Sequence, residues 1–126
     1  MLDAAESVAF LPSEDLERSN RFFGDILGPP LVSRSAFASV FRCGLTTLRV
    51  TKVDGFRPQP FTVFGWIVAD LRSELPQLQE RGIDLLRYDG LKQDDQHVWT
   101  TPSGDIVAWF RDPDENVLSL TEFARN

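Results

Sequence analysis

Asp15-Leu16 and Asp70-Leu71 stand 55 residues apart, and each pair follows a β-prone stretch and opens a helical stripe. This repeat constrains the fold more than any other feature, because it makes the chain two copies of one unit. In the first copy, residues 5–11 read as a strand. Asp15 to Leu27 reads as a helix whose Leu16, Phe22, Phe23, Ile26 and Leu27 share one stripe, stopped by Gly28-Pro29-Pro30. Short strands follow at about Leu31–Arg34, Ala36–Arg42 and Thr46–Thr51. Lys52 to Pro60, with an Asp-Gly turn and two prolines, has the composition of a connection. The second copy repeats the order: a strand at Phe61–Val68, a helical stripe through Leu75 and Leu78 that stops at Gly82, then strands near Leu85–Tyr88, Gln96–Thr101, Asp105–Arg111 and Val117–Phe123. Pro76 favours Ser73 as the cap of the second helix, since an interior proline costs about 3 kcal/mol outside the first turn. The predicted fold class is α+β. Two tandem βαβββ modules, about 5–52 and 61–123, are joined by a linker at about 53–60 within one domain spanning 1–126.

A chain of 126 residues that is 42% hydrophobic buries a core without covalent staples. Its single cysteine, Cys43, rules out an internal disulfide and fits a reducing compartment. The opening Met-Leu-Asp-Ala-Ala-Glu has neither the basic nor the apolar region of a signal peptide, so a cytoplasmic location is expected. The longest apolar run, Val63 to Ala69, is seven residues, against roughly 18 for a membrane span. Membrane insertion is therefore not expected. The net charge of −6, from 13 basic and 19 acidic side chains, argues against a nucleic-acid partner, which requires a basic footprint. There is no phosphate loop, G-x-G-x-x-G, C-x-x-C, H-E-x-x-H or G-x-S-x-G, so no cofactor is expected.

The segment R-D-P-D-E-N-V-L-S-L-T-E-F, Arg111 to Phe123, combines a tight Asp-Pro-Asp turn, in which Asn116 suits a left-handed conformation, with a strand. Its period of two sends Leu118 and Leu120 to a core and Val117, Ser119 and Thr121 to the other face. By the same alternation Thr47, Arg49 and Thr51 share a face opposite Leu48 and Val50.

Three phrases now stand out together: D-L-E-R-S-N-R-F-F-G-D-I-L-G from Asp15, V-A-D-L-R-S-E-L-P-Q-L-Q-E-R-G-I from Val68 and A-W-F-R-D-P-D-E-N-V-L-S-L-T-E-F from Ala108. With the doubled βαβββ order, the chain resembles the vicinal oxygen chelate superfamily, the glyoxalase, bleomycin-resistance and extradiol dioxygenase group. The resemblance covers nearly the whole chain and implies curved mixed sheets forming a cleft. It specifies fold more strongly than function. Glu115 departs from it, since many relatives carry glycine in that turn.

Metal-using relatives hold a divalent ion with four histidine, glutamine or glutamate ligands. The resemblance places those positions at Val8, Arg49, Val63 and Ser119. Two valines, a serine and an arginine offer one weak neutral oxygen, and the fixed charge of Arg49 repels a cation, so no metal is expected. The implied function is metal-independent binding of a small organic molecule in the cleft between modules. Val8, Phe10, Arg49, Val63, Ile67, Ser119 and Thr121 are its ligand-binding candidates.

Arg49 needs an anion. Either an anionic, partly aromatic ligand or an internal pair with Glu6 meets that need. The alternatives are a lyase, isomerase or dioxygenase-type enzyme with a shifted or non-metal site, for which His97 and Glu122 are the catalytic candidates, and an interaction module with a vestigial cleft. His97, near Asp94 and Asp95, reads either as an acid–base group or as a partly exposed strand residue. Phe10, Trp66, Tyr88, Trp99, Trp109 and Phe110 read as pocket lining or as core and dimer contacts. Exposed sheet edges and the habit of the relatives suggest a homodimer.

Overall fold

Asp15 and Asp70 do the same physical work in the computed structural model, which describes residues 1–125. Each is extended, and each accepts a hydrogen bond from the backbone N–H three residues on, Arg18 and Ser73 respectively. The repeated Asp-Leu is thus an N-cap followed by the first helical residue. The chain divides into two compact units, Met1–Pro58 with Asp112–Asp114, and Gln59–Arg111 with Glu115 onward.

In the first unit, β1 (Val8–Ser13) leads through Asp15 into α1 (Leu16–Asn20), which continues as π-helical turns over Arg21–Leu27. Gly28 closes it in a left-handed conformation at φ 105°, its N–H reaching the Phe23 carbonyl at 3.1 Å. β2 (Leu31–Arg34), β3 (Ala38–Cys43) and β4 (Thr46–Lys52) follow. The strands pair in the order β1-β4-β3-β2, parallel between β1 and β4 and antiparallel elsewhere. One face is closed by the helix. Phe22 and Phe23 pack at 5.0 Å in a T-shaped pair, Phe23 meets Phe41 at 5.8 Å, and Leu11, Leu48 and Val50 are buried. Each such side chain contributes about 1.5–3 kcal/mol of burial.

Asp112–Asp114 belongs to this unit because the Asp114 carboxylate is buried in it. It accepts from Arg18 Nη2 at 2.7 Å, from the Glu14 N–H at 2.9 Å and from Ser19 Oγ at 3.3 Å.

The second unit is built from β5 (Thr62–Ile67), α2 (Leu71–Glu80), β6 (Trp99–Thr100), β7 (Ile106–Arg111) and β8 (Val117–Glu122). Its order, β5-β8-β7-β6, reproduces that of the first sheet, with β5 and β8 parallel. Leu71, Leu75 and Leu78 of α2 are buried, as are Ala108, Phe110, Leu118 and Leu120 of the sheet, and Trp66 stacks on Phe110 at 6.3 Å.

Several local expectations are corrected. The second helix starts at Leu71 with Pro76 inside it, so Asp70 and not Ser73 is the cap. Leu85–Tyr88 forms no strand beyond a bridge from Leu85 to Phe110, and the Gln96–Thr101 strand contracts to Trp99–Thr100. The Gln93 side chain takes the ladder's place, accepting from the Tyr88 N–H at 2.7 Å and donating to the Leu86 carbonyl at 2.9 Å. Val117 is buried with the leucines. The left-handed residue of the C-terminal turn is Glu115, at φ 69°, rather than Asn116. Arg111 steadies it, bonding the Glu115 carbonyl at 3.3 Å and pairing with its carboxylate at 3.6 Å.

Candidate functional site

Each sheet has one face closed by its helix and one face open, and the residues singled out in the sequence lie mainly on the open faces. On the first sheet, pairing sets Phe10 beside Arg49, Arg49 beside Val40, and Val40 beside Ser33, a single row across four strands. The neighbouring row is Val8, Thr47 and Arg42. Val8 is 52% exposed and Phe10 63%. Arg49, between Phe10 and Val40, is exposed, and among the described residues no carboxylate or hydrogen-bond partner engages its guanidinium. Of the two alternatives for Arg49, the internal pair with Glu6 is not formed. Glu6 lies 3.4 Å from Arg42 Nη1 instead. Arg42 is the residue that sequence reasoning missed. Its signal was the tight β3–β4 turn around Gly44, at φ 60°, which fixes Arg42 opposite Thr47 and so on the Arg49 face.

On the second sheet, Gly65 pairs with Ser119 and Ile67 with Thr121. Ser119 and Thr121 are half-buried, Ile67 is 70% exposed and Val63 39%. The β5–β8 register shifts between Thr62 and Phe64, so Val63 has no partner residue on β8, and Gly65 is what stands alongside Ser119. Trp109 shares this face and donates from Nε1 to Thr62 Oγ1 at 2.9 Å. It packs against Tyr88 at 5.4 Å and Trp99 at 6.2 Å. Burial pushes the Tyr88 hydroxyl pKa up, against the opposing pull of Arg111. Trp66, half-buried, and Phe110, fully buried, are on the helix side of the sheet.

His97 and Glu122 both serve the local backbone. His97 sits in a turn at φ 66° rather than in a strand, with Nδ1 3.2 Å from the Leu85 carbonyl oxygen. Glu122 Oε1 accepts from the Leu71 N–H at 2.9 Å and so completes the start of α2. Asp94, in the His97 turn, resists ionisation through burial. Bonds from Arg72 and from the Val98 and Gln96 N–H groups outweigh that and hold its carboxyl below the ordinary value.

The donors on these faces do not fit a divalent ion. The positions that the resemblance assigns to ligands carry Val8, Arg49, Val63 and Ser119, and among the described residues no three His, Cys, Asp or Glu side chains gather to hold a metal. No helix of the described residues is long and apolar enough to cross a membrane.

No protein-family model and no curated protein matches the chain. Solved structures do. A glyoxalase family protein from Bacillus anthracis superposes with a TM-score of 0.75 at 15% identity over 95% of each chain. A glyoxalase/bleomycin resistance protein/dioxygenase from Alicyclobacillus acidocaldarius gives 0.74 at 17% identity, covering 99% of this chain and 96% of its own. A lactoylglutathione lyase from Agrobacterium tumefaciens gives 0.72 at 17% identity over 94% and 93%. At such identities the likeness establishes the fold: two tandem modules of the glyoxalase/bleomycin-resistance type, the fold of the vicinal oxygen chelate superfamily.

Proposed function

We propose that this protein binds a small organic anion with a planar, partly apolar body, that it does so without a metal ion, and that it works in the cytoplasm as a homodimer. One observation carries the reading: Arg49 stands exposed between Phe10 and Val40, on an open sheet face, with no partner among the described residues. A guanidinium offers a fork of donors that suits a carboxylate or phosphate, and the flanking apolar side chains suit a ring. On the second sheet Ile67 and Val63 are apolar surface and Ser119 and Thr121 are neutral hydroxyls, a face of its own on which the Arg49 reading does not draw. The enzymatic alternatives drew on His97 and Glu122, each of which holds a backbone group in place.

Loss of the arginine contact is expected to cost about 1.5–3 kcal/mol, roughly 10- to 150-fold in affinity. The test is a thermal-shift panel of anionic and cationic aromatics on the wild type and on Arg49→Met, which keeps much of the stem and removes the charge. Anionic hits that disappear in the variant are expected. Cationic hits indifferent to the substitution would overturn the reading and point to the Tyr88, Trp99 and Trp109 cluster instead.

A further inference from the structure

Two arginines share the open face of the first sheet, and among the described residues only Arg42 has a side-chain partner. Arg42 faces Thr47 and Arg49 faces Val40, so the pair are diagonal neighbours on adjacent antiparallel strands. Such diagonals lie about 7–8 Å apart at the backbone, within reach of two long side chains converging on one ligand. The third charged group on the face is Glu6, which precedes β1 and bonds Arg42 at 3.4 Å. That pair is exposed, with 44% of the Arg42 and 63% of the Glu6 side-chain surface accessible, and exposed pairs of this kind hold weakly.

We infer that Arg42 is a second anion contact, occupied by Glu6 until a ligand displaces it, so that this face selects dianions over monoanions. The inference rests on the reading of Arg49 above. A monoanion is satisfied by Arg49 alone and leaves the Glu6–Arg42 pair standing. A ligand with two negative charges a few ångströms apart, such as an aromatic dicarboxylate or an aryl phosphate monoester, bridges both guanidiniums and releases Glu6 to water. Breaking the Glu6–Arg42 pair offsets part of what the second guanidinium contributes, so the preference for two negative charges comes from Arg42 and Glu6 tempers it. Phe10, beside Arg49 in the same row, receives the ring.

The experiment measures dissociation constants for benzoate, phthalate and phenyl phosphate by NMR titration at pH 8 and fixed ionic strength. The proteins are the wild type, Arg42→Met, Glu6→Gln and Arg49→Met. In the wild type both dianions are expected to bind about 10-fold more tightly than benzoate, the worth of one added charge-assisted contact. Arg42→Met is expected to bring them to benzoate's level. Glu6→Gln is expected to tighten the dianions several-fold more than it tightens benzoate. Whichever of phthalate and phenyl phosphate binds more tightly identifies the ligand class as dicarboxylate or phosphate monoester. A dianion preference that survives Arg42→Met, or one that Glu6→Gln leaves unaltered, overturns the inference and leaves Arg49 intact as a single contact. Absence of binding by all three, or binding indifferent to Arg49→Met, overturns the underlying reading and this one with it.

Discussion

At Gly65 an added Cβ would collide with Ser119 Oγ and fall 2.7 Å from the Ser119 carbonyl oxygen. The hydroxyl can rotate away, but the carbonyl belongs to the β5–β8 ladder and cannot. Gly65→Ala is therefore expected to destabilise the fold by about 1–3 kcal/mol, as overpacking against fixed neighbours does. The urea midpoint reads it, and an unchanged midpoint would mean that the two strands separate freely there. Ser119→Ala in the same chain removes the hydroxyl collision, leaves that with the carbonyl, and is expected to restore part of the loss. This glycine also accounts for what sequence could not show at the site. The spacing that pairs Val8 with Val63 counts back from Asp15 and Asp70, whereas the register shift beside Thr62 removes Val63 from the ladder and leaves Gly65 next to Ser119. At Arg49 the same counting worked, because β4 runs without a bulge from Thr46 to Lys52 and strict alternation holds.

At the level of elements, α2 shows where local rules lose to distant partners. Pro76 cannot donate to the Arg72 carbonyl four residues back, which argues for a helix that begins later. Two carboxylates decide otherwise: Asp70 accepts from the Ser73 N–H at 3.2 Å and Glu122 from the Leu71 N–H at 2.9 Å. Glu122 lies 51 residues away along the chain, so no inspection of the helix alone could have found it. Burial of Leu71, Leu75 and Leu78, about 1.5–3 kcal/mol each, offsets the proline. Pro76→Ala is accordingly expected to stabilise the protein by about 1–2 kcal/mol, the recovered helical bond less the added freedom of the unfolded chain. A raised urea midpoint checks this, and a lowered one would show that the proline sits without strain. The failed Leu85–Tyr88 strand has the same kind of cause. Its backbone is β-prone, but Gln93 satisfies Tyr88 and Leu86 with a side chain and so removes the need for a neighbouring strand. What was legible, the doubled strand–cap–helix order and the in–out alternation of β4, depends on residues within one turn or one strand of each other.

For the molecule as a whole, two expectations can be checked without knowing the ligand. Elemental analysis after dialysis against a weak chelator is expected to find no equivalent of zinc, nickel, manganese or iron, because an arginine, two valines and a serine occupy the positions the resemblance gives to metal ligands. The second concerns assembly. The first sheet ends in β2, whose four residues are all exposed, Val32 by 64% and Leu31 by 41%, and Phe37 just beyond is 74% exposed. An open edge carrying apolar side chains is a surface that proteins cover, and a second copy of the chain is the expected cover, by symmetry. Light scattering at tens of micromolar is expected to give twice the 14.3 kDa chain mass. Salt decides what holds the pair together. Each chain carries −6, so association through apolar contact would work against like-charge repulsion, and raising the salt is expected to screen that repulsion and tighten the dimer. Contact through ion pairs would weaken instead. Val32→Lys with Phe37→Ser adds charge and removes apolar surface at the edge, and is expected to shift the mass toward 14.3 kDa. A wild type already at the mass of one chain would refute the dimer, and a dimer indifferent to the double substitution would move its contact away from β2.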